Sequence, residues 1–202
     1  MSTRARTRRR SGRLALLVPL AVAGLVAGCA PDPTPVPTPT ALSPSVTPTS
    51  LLPAPAPSPT QPAELSRDDE TGAIAAARFF LTDLYRYTVS TQDTGPWTTA
   101  SLDRCTFCAS VKNAVASQVA GKTVTYPGLI TVLAERVASA SPLAYEIDFD
   151  VQQEAGVTWS TAGTVVSTEP ARAMTIAYMV VRHPEGWRIW GVDTLTVNGA
   201  PK

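Results

Sequence analysis

Twelve of the nineteen prolines of this chain fall between Pro31 and Pro62, interleaved with Thr, Ser and Ala and almost without charge. Such a stretch has too little apolar surface to offset the cost of ordering the chain, and its prolines favour the extended polyproline conformation. Any core must therefore come from the residues after about Glu64, and the 139 that remain are enough for one domain. The proline-rich stretch reads as a disordered linker over 29–63. At roughly 3 Å per residue it holds the domain up to about 100 Å from its point of attachment. Its Thr/Pro density also permits O-glycosylation, with a bare solvated spacer as the alternative.

Residues 1–28 read as an export signal. Six arginines within residues 1–13 precede an uncharged apolar run from Leu14 to Ala27, too short for a comfortable permanent span. The run ends in Val26-Ala27-Gly28-Cys29, which resembles the bacterial lipobox, in which the cysteine receives a diacylglyceryl group after cleavage. That resemblance implies lipidation of Cys29 and tethering to the outer face of the cell membrane. Arg8-Arg9-Arg10 leaves a twin-arginine route open beside the general secretory one. Cleavage before Cys29 would remove all six arginines and leave 11 basic against 16 acidic residues, a net charge of −5. With no basic stripe, nucleic acid is excluded as a partner.

Within residues 64–202, Ser66-Arg67-Asp68-Asp69-Glu70 supplies a capping serine followed by acids. Ile74, Ala77, Leu81, Leu84 and Thr88 then recur at helical spacing, flanked by Phe80 and Tyr87, and predict an amphipathic helix of about twenty residues. A turn at Asp93-Thr94-Gly95-Pro96 ends it. A second helix is expected from near Ser101 to Ala120, with Val111, Val115 and Val119 inward and Gly121 as its stop. After Gly121 the period becomes two. Strands are expected over Leu129–Val137, over Tyr145–Gln152, where Tyr145, Ile147, Phe149 and Val151 alternate with polar residues, and over Val157–Val166. A final hairpin turns at His183-Pro184-Glu185-Gly186. Helices followed by four or five antiparallel strands mean an α+β fold with the helices packed on one sheet face.

This layout resembles the cone-shaped nuclear-transport-factor-like domains, also called SnoaL-like or cystatin-like, in which a curved sheet wraps a long N-terminal helix and encloses a pocket. More narrowly, the lipobox and stalk, the helix "GAIAAARFFLTDLYRY", the C-x-x-C opening the second helix and the hairpin "GWRIWGVDTLTV" resemble actinobacterial lipoproteins of the domain-of-unknown-function family DUF6318. The resemblance implies a shape and no particular reaction, because this fold hosts enzymes, carriers and assembly modules. Tyr85, Tyr145, Phe149, Tyr178, Trp190 and Asp193 are the candidates to line its pocket. Related cone domains often dimerise through the open sheet face, and the oligomeric state is left open with a dimer among the outcomes.

With Cys29 given to lipid, Cys105 and Cys108 form an even pair in an oxidising compartment, where a disulfide is the default. A structural clamp suffices to explain them. The redox reading needs a reachable thiolate, and a helix with a turn precedes this motif where thioredoxin-like enzymes have a strand. A zinc site lacks ligands, because the chain has one histidine, His183, and no second C-x-x-C. Glu146, Asp148 and Asp150 share one strand face and read as a solvated surface. Asp193 with Tyr85, Tyr87, Tyr145 or Tyr178 would furnish the acid/base pair that cone-fold enzymes use. The expectation is a membrane-tethered envelope lipoprotein that binds an envelope protein or a small apolar ligand, without cofactor, metal or catalysis. An extracytoplasmic thiol–disulfide or pocket acid/base enzyme is the alternative, and a structural knob on a spacer is the third reading.

Overall fold

A computed structural model describes residues 52–202. The expected signal, Cys29 and the first part of the stalk lie outside the described residues. From Leu52 to Pro62 every residue except Thr60 is either a proline or the residue before one, which fixes φ or pushes the backbone into the extended region. Pro62 itself sits at φ −62° and ψ 146°, the polyproline II geometry. A single 3-10 turn, Ala63–Ser66, leads into the helices.

Helix α1 (Glu70–Phe79) is capped by Asp69, whose side chain accepts from the Gly72 N–H at 3.2 Å, and not by the expected Ser66. A π-helical turn, Phe80–Leu84, and helix α2 (Tyr85–Thr91) continue the rod. Ala73, Ala77, Phe80, Leu81, Leu84 and Thr88 are buried while Ile74 is only half-buried, so the inward stripe is centred about one residue earlier than Ile74. Phe80, expected on the flank, is in the core. Gln92 reverses the chain at φ 63°, and the Asp93 carboxylate accepts from the Gly95 N–H at 2.9 Å. The expected turn is therefore present, but it leads directly into a short helix α3 (Gly95–Ala100) opened by Pro96. Helix α4 (Thr106–Ala120) starts five residues later than predicted, after Cys105 as N-cap. Val119 is exposed, and the left-handed residue after the helix is Lys122 (φ 52°) and not Gly121.

Eight strands follow in two antiparallel sheets. β2 (Ile130–Ser141), β3 (Ala144–Gln153), β6 (Arg172–His183), β7 (Gly186–Val197) and the short β8 (Ala200–Pro201) form a curled five-stranded sheet in that order. β1 (Thr123–Tyr126), β4 (Gly156–Ser160) and β5 (Val165–Glu169) form a second sheet of three. β1 was not anticipated, and the single strand expected over Val157–Val166 is a hairpin, because Ser160 and Gly163 turn the chain within it. The α+β arrangement of helices followed by an antiparallel sheet is as expected. Alternation on β3 sends Ile147, Phe149 and Val151 to the helices, where they meet Phe80, Leu84 and Trp97. Burying each of these large side chains contributes about 1.5–3 kcal/mol.

Candidate functional site

The concave face of the sheet is packed solid. Phe80 stacks on Trp97 with ring centroids 3.9 Å apart and meets Tyr178 edge-on at 6.1 Å, and Phe149 meets Tyr178 edge-on at 5.8 Å. Phe149 and Tyr178, both expected to line a pocket, are thus core residues at 0% and 2% exposure. Burial raises the Tyr178 phenol far above its ordinary value. Tyr85 is half-buried beside Trp97, and burial, followed by the nearby Glu169 charge, raises its phenol too. Neither phenol is poised to exchange protons near neutral pH.

Asp193 does not join them. Residue 190 is a bulge in β7: Val180 pairs with Ile189 and Met179 with Gly191, so Trp190 is the extra residue. A one-residue insertion inverts the alternation, and from there Val192, opposite Tyr178, faces the core while Asp193, opposite Ala177, faces the outer side. Simple alternation from Ile189 would have pointed Asp193 inward. Trp190 is left 40% exposed, with the Arg104 guanidinium 3.7 Å from its ring centre. Asp193 instead borders a shallow depression of about 350 Å³ over Ala177 and Gly191.

On the same outer face, Arg136 reaches the carboxylate of Asp148 at 2.9 Å and that of Asp150 at 3.7 Å. Thr175 donates to Asp150 at 2.7 Å and Ser139 to Glu146 at 3.2 Å. Asp148 departs from the solvated role expected of it, being 6% exposed beneath Arg136. Among the described residues no three His, Cys, Asp or Glu side chains gather as metal ligands. His183 stands at the hairpin turn, its Nδ1 accepting from the Glu185 N–H at 3.4 Å.

Cys105 and Cys108 are joined in a disulfide with Cα atoms 5.1 Å apart, and each is 1% exposed. The Cys105 sulfur also accepts from the Cys108 N–H at 3.1 Å, in the position of a helix cap. Both cysteines are buried beside Trp97, whose indole N–H donates to the Cys108 carbonyl.

The larger opening lies elsewhere. A cleft of about 1150 Å³ separates the extended segment at Ser58–Pro62 from the domain. Its apolar wall is built by Ala76, Phe79, Phe80 and Leu84 of the long helix with Trp187 and Ile189 of β7. Arg182 pairs with Asp68, and Arg188, only 13% exposed at its side chain, pairs with Glu185 at 3.0 Å, so both cations are held at the rim in neutralised form. Tyr145, half-buried, packs edge-on against Trp187 from the core side at 5.8 Å. None of the six expected pocket residues lines this cleft. The alternation of prolines with pre-proline residues up to Pro62 is the sequence signal for its outer wall, and by composition alone it implies no more than a spacer.

Several solved structures are similar to this chain. The intermembrane-space region of the chloroplast protein ARC6 is similar over 63% of this chain and 97% of its own, at 15% identity and a TM-score of 0.47. A nuclear transport factor 2-like superfamily protein from Salmonella enterica serovar Typhimurium is similar over 58% and 84%, at 14% identity and a TM-score of 0.38. An NTF2-like protein with a cystatin-like fold from Novosphingobium aromaticivorans is similar over 64% and 90%, at 14% identity and a TM-score of 0.32. No curated protein matches the chain in sequence. The model of the family of unknown function DUF6318 matches residues 53–193, more than half of the chain, taking in all the helices, β1 to β6 and most of β7, and the chain belongs to that family.

Proposed function

We propose that this chain is a lipid-anchored, outward-facing envelope protein whose domain binds a small apolar ligand in the cleft between Ser58–Pro62 and the long helix, and that it performs no chemistry on it. The cleft carries the reading. Its volume suits a small molecule, one side of it is apolar, formed by the long helix with Trp187 and Ile189, and its two arginines are already paired, so the ligand it favours brings no net charge. The order of arginines, apolar run and Val26-Ala27-Gly28-Cys29 supports the anchor. Against thiol exchange stands the burial of both sulfurs, and against pocket acid/base chemistry the separation of Asp193 from Tyr178 by the sheet itself.

The test is thermal unfolding of the intact chain with a series of uncharged apolar molecules, alongside the variant Thr99→Trp, which narrows the cleft from α3. A ligand present at a hundred times its Kd stabilises by about 2.7 kcal/mol, a rise of several degrees in Tm. That rise should be absent in Thr99→Trp. Equal shifts in both proteins, or none in the native chain, would remove the cleft as the binding site.

A further inference from the structure

The residues from Ala56 to Leu65 do not hang free of the domain. Along this stretch Ala56, Pro59, Pro62 and Leu65 are half-buried and the residues between them exposed, a period of three. Three is the number of residues per turn of polyproline II and of the 3-10 turn that follows, so one edge faces the domain, Ala56, Pro59 and Pro62 from the extended part and Leu65 from the turn, with the last three lining the cleft. The edge is fastened at both ends. The Ala56 N–H donates to Ser90 Oγ at 3.1 Å, from a residue near the end of α2. At the other end Leu65 packs against the core, and the Trp187 indole N–H donates to the Arg67 carbonyl at 2.8 Å. Gly72 makes that second fastening possible: a Cβ there would lie 2.2 Å from the Arg67 carbonyl oxygen and 2.7 Å from the indole nitrogen. The matched family model also begins within the proline-rich stretch, at residue 53.

From this we infer that the domain carries a polyproline-recognition groove, with its own segment Ala56–Leu65 as the resident ligand. The chemistry is that of polyproline readers in general: a preformed extended helix that loses little entropy on binding, two prolines at spacing three, Pro59 and Pro62, and aromatic rings, Phe79 and Trp187, lining the same cleft. Being tethered, the resident segment acts at the high effective concentration of an intramolecular ligand. A second copy of the same segment binds only where the resident one has been weakened. This inference is independent of what small molecule enters the cleft, since it concerns the segment that walls it.

The experiment uses the intact chain and the double variant Pro59→Gly/Pro62→Gly, whose changes lie outside the core, with a fluorescent peptide of the native sequence Leu52–Ser66 as probe. In the native chain the Ala56 amide should exchange with solvent at least tenfold more slowly than the exposed Ala54, and the peptide should bind weakly. In the double variant the Ala56 protection should vanish and peptide affinity should rise at least tenfold, while a peptide carrying both glycines stays unbound. The near-UV spectrum of the variant checks that its domain is folded. Native exchange of Ala56 at the unprotected rate, or a folded variant that takes up no peptide, would overturn the groove.

Discussion

The indole N–H of Trp97 donates to the backbone carbonyl of Cys108 at 3.1 Å, and the same ring is stacked on Phe80 of the π-helical turn. One fully buried side chain thus ties the first turn of α4, and the disulfide that closes it, to the long helix. Replacing both cysteines by alanine releases a loop of only a few residues, so the entropy model gives a loss of about 2 kcal/mol. Urea unfolding of Cys105→Ala/Cys108→Ala should show that loss with an unchanged m-value. The native bond should resist alkylation after mild reduction, with a potential below about −300 mV. A bond reduced readily near −200 mV with the fold intact would contradict the clamp.

The bulge at Trp190 makes a sharper demand. Truncation to Trp190→Ala removes an exposed ring and its contact with Arg104, costing about 1 kcal/mol. Deleting residue 190 altogether removes the extra residue itself, so Gly191 follows Ile189 opposite Met179, Val192 stays opposite Tyr178 and Asp193 stays on the outer side. The deletion should therefore keep a cooperative thermal transition, as the alanine variant does. Loss of that transition in the deletion would mean that the bulge is needed for more than the facing of β7.

Gly72→Ala places a methyl group into the space shared by the Arg67 carbonyl and the Trp187 indole. Neither backbone nor buried ring gives way without strain, and a loss of about 1–3 kcal/mol is expected. The Trp187 indole N–H resonance should move upfield as its hydrogen bond to Arg67 breaks. An unshifted spectrum at native stability would show that the approach is looser than it looks.

Asp69 links pH to the start of α1. The Arg67 guanidinium, through its hydrogen bond, and then the Gly72 N–H hold its carboxyl below the ordinary aspartate range. A carboxyl depressed in the folded state contributes stability that is present above its unfolded value and lost as pH falls through the folded one. Asp69→Asn keeps the capping oxygen and loses the charge. The gap in urea midpoint between native and variant should therefore be open at neutral pH and close below about pH 4. A gap constant through the acid range would mean that the cap acts by its hydrogen bond alone.

The sequence was legible where local periodicity and burial agree. Tyr145 to Gln152 alternates cleanly and is β3, and the hairpin at His183–Gly186 was visible in its turn residues. Legibility failed where one residue changes the phase. Phe80 lies in the core because the buried stripe runs through Ala73, Ala77 and Phe80, one residue round from the stripe centred on Ile74, and the bulge at Trp190 turned Asp193 outward, an insertion that leaves no mark in composition. The site escaped for a different reason: its aromatic candidates were sought inside the cone, but Phe149 and Tyr178 are needed there as packing. The outer wall of the actual cleft comes from prolines, which carry too little surface to announce a contact and whose docking depends on residues from Ser90 to Trp187 far along the chain.

The docked edge of Ala56, Pro59, Pro62 and Leu65 gives the segment a phase as well as a composition. Lengthening it by three residues brings the same edge back to the domain; lengthening it by one turns that edge about 120° away. A stretch that resembles filler is thereby counted out in threes, and its length carries information that its amino acids do not.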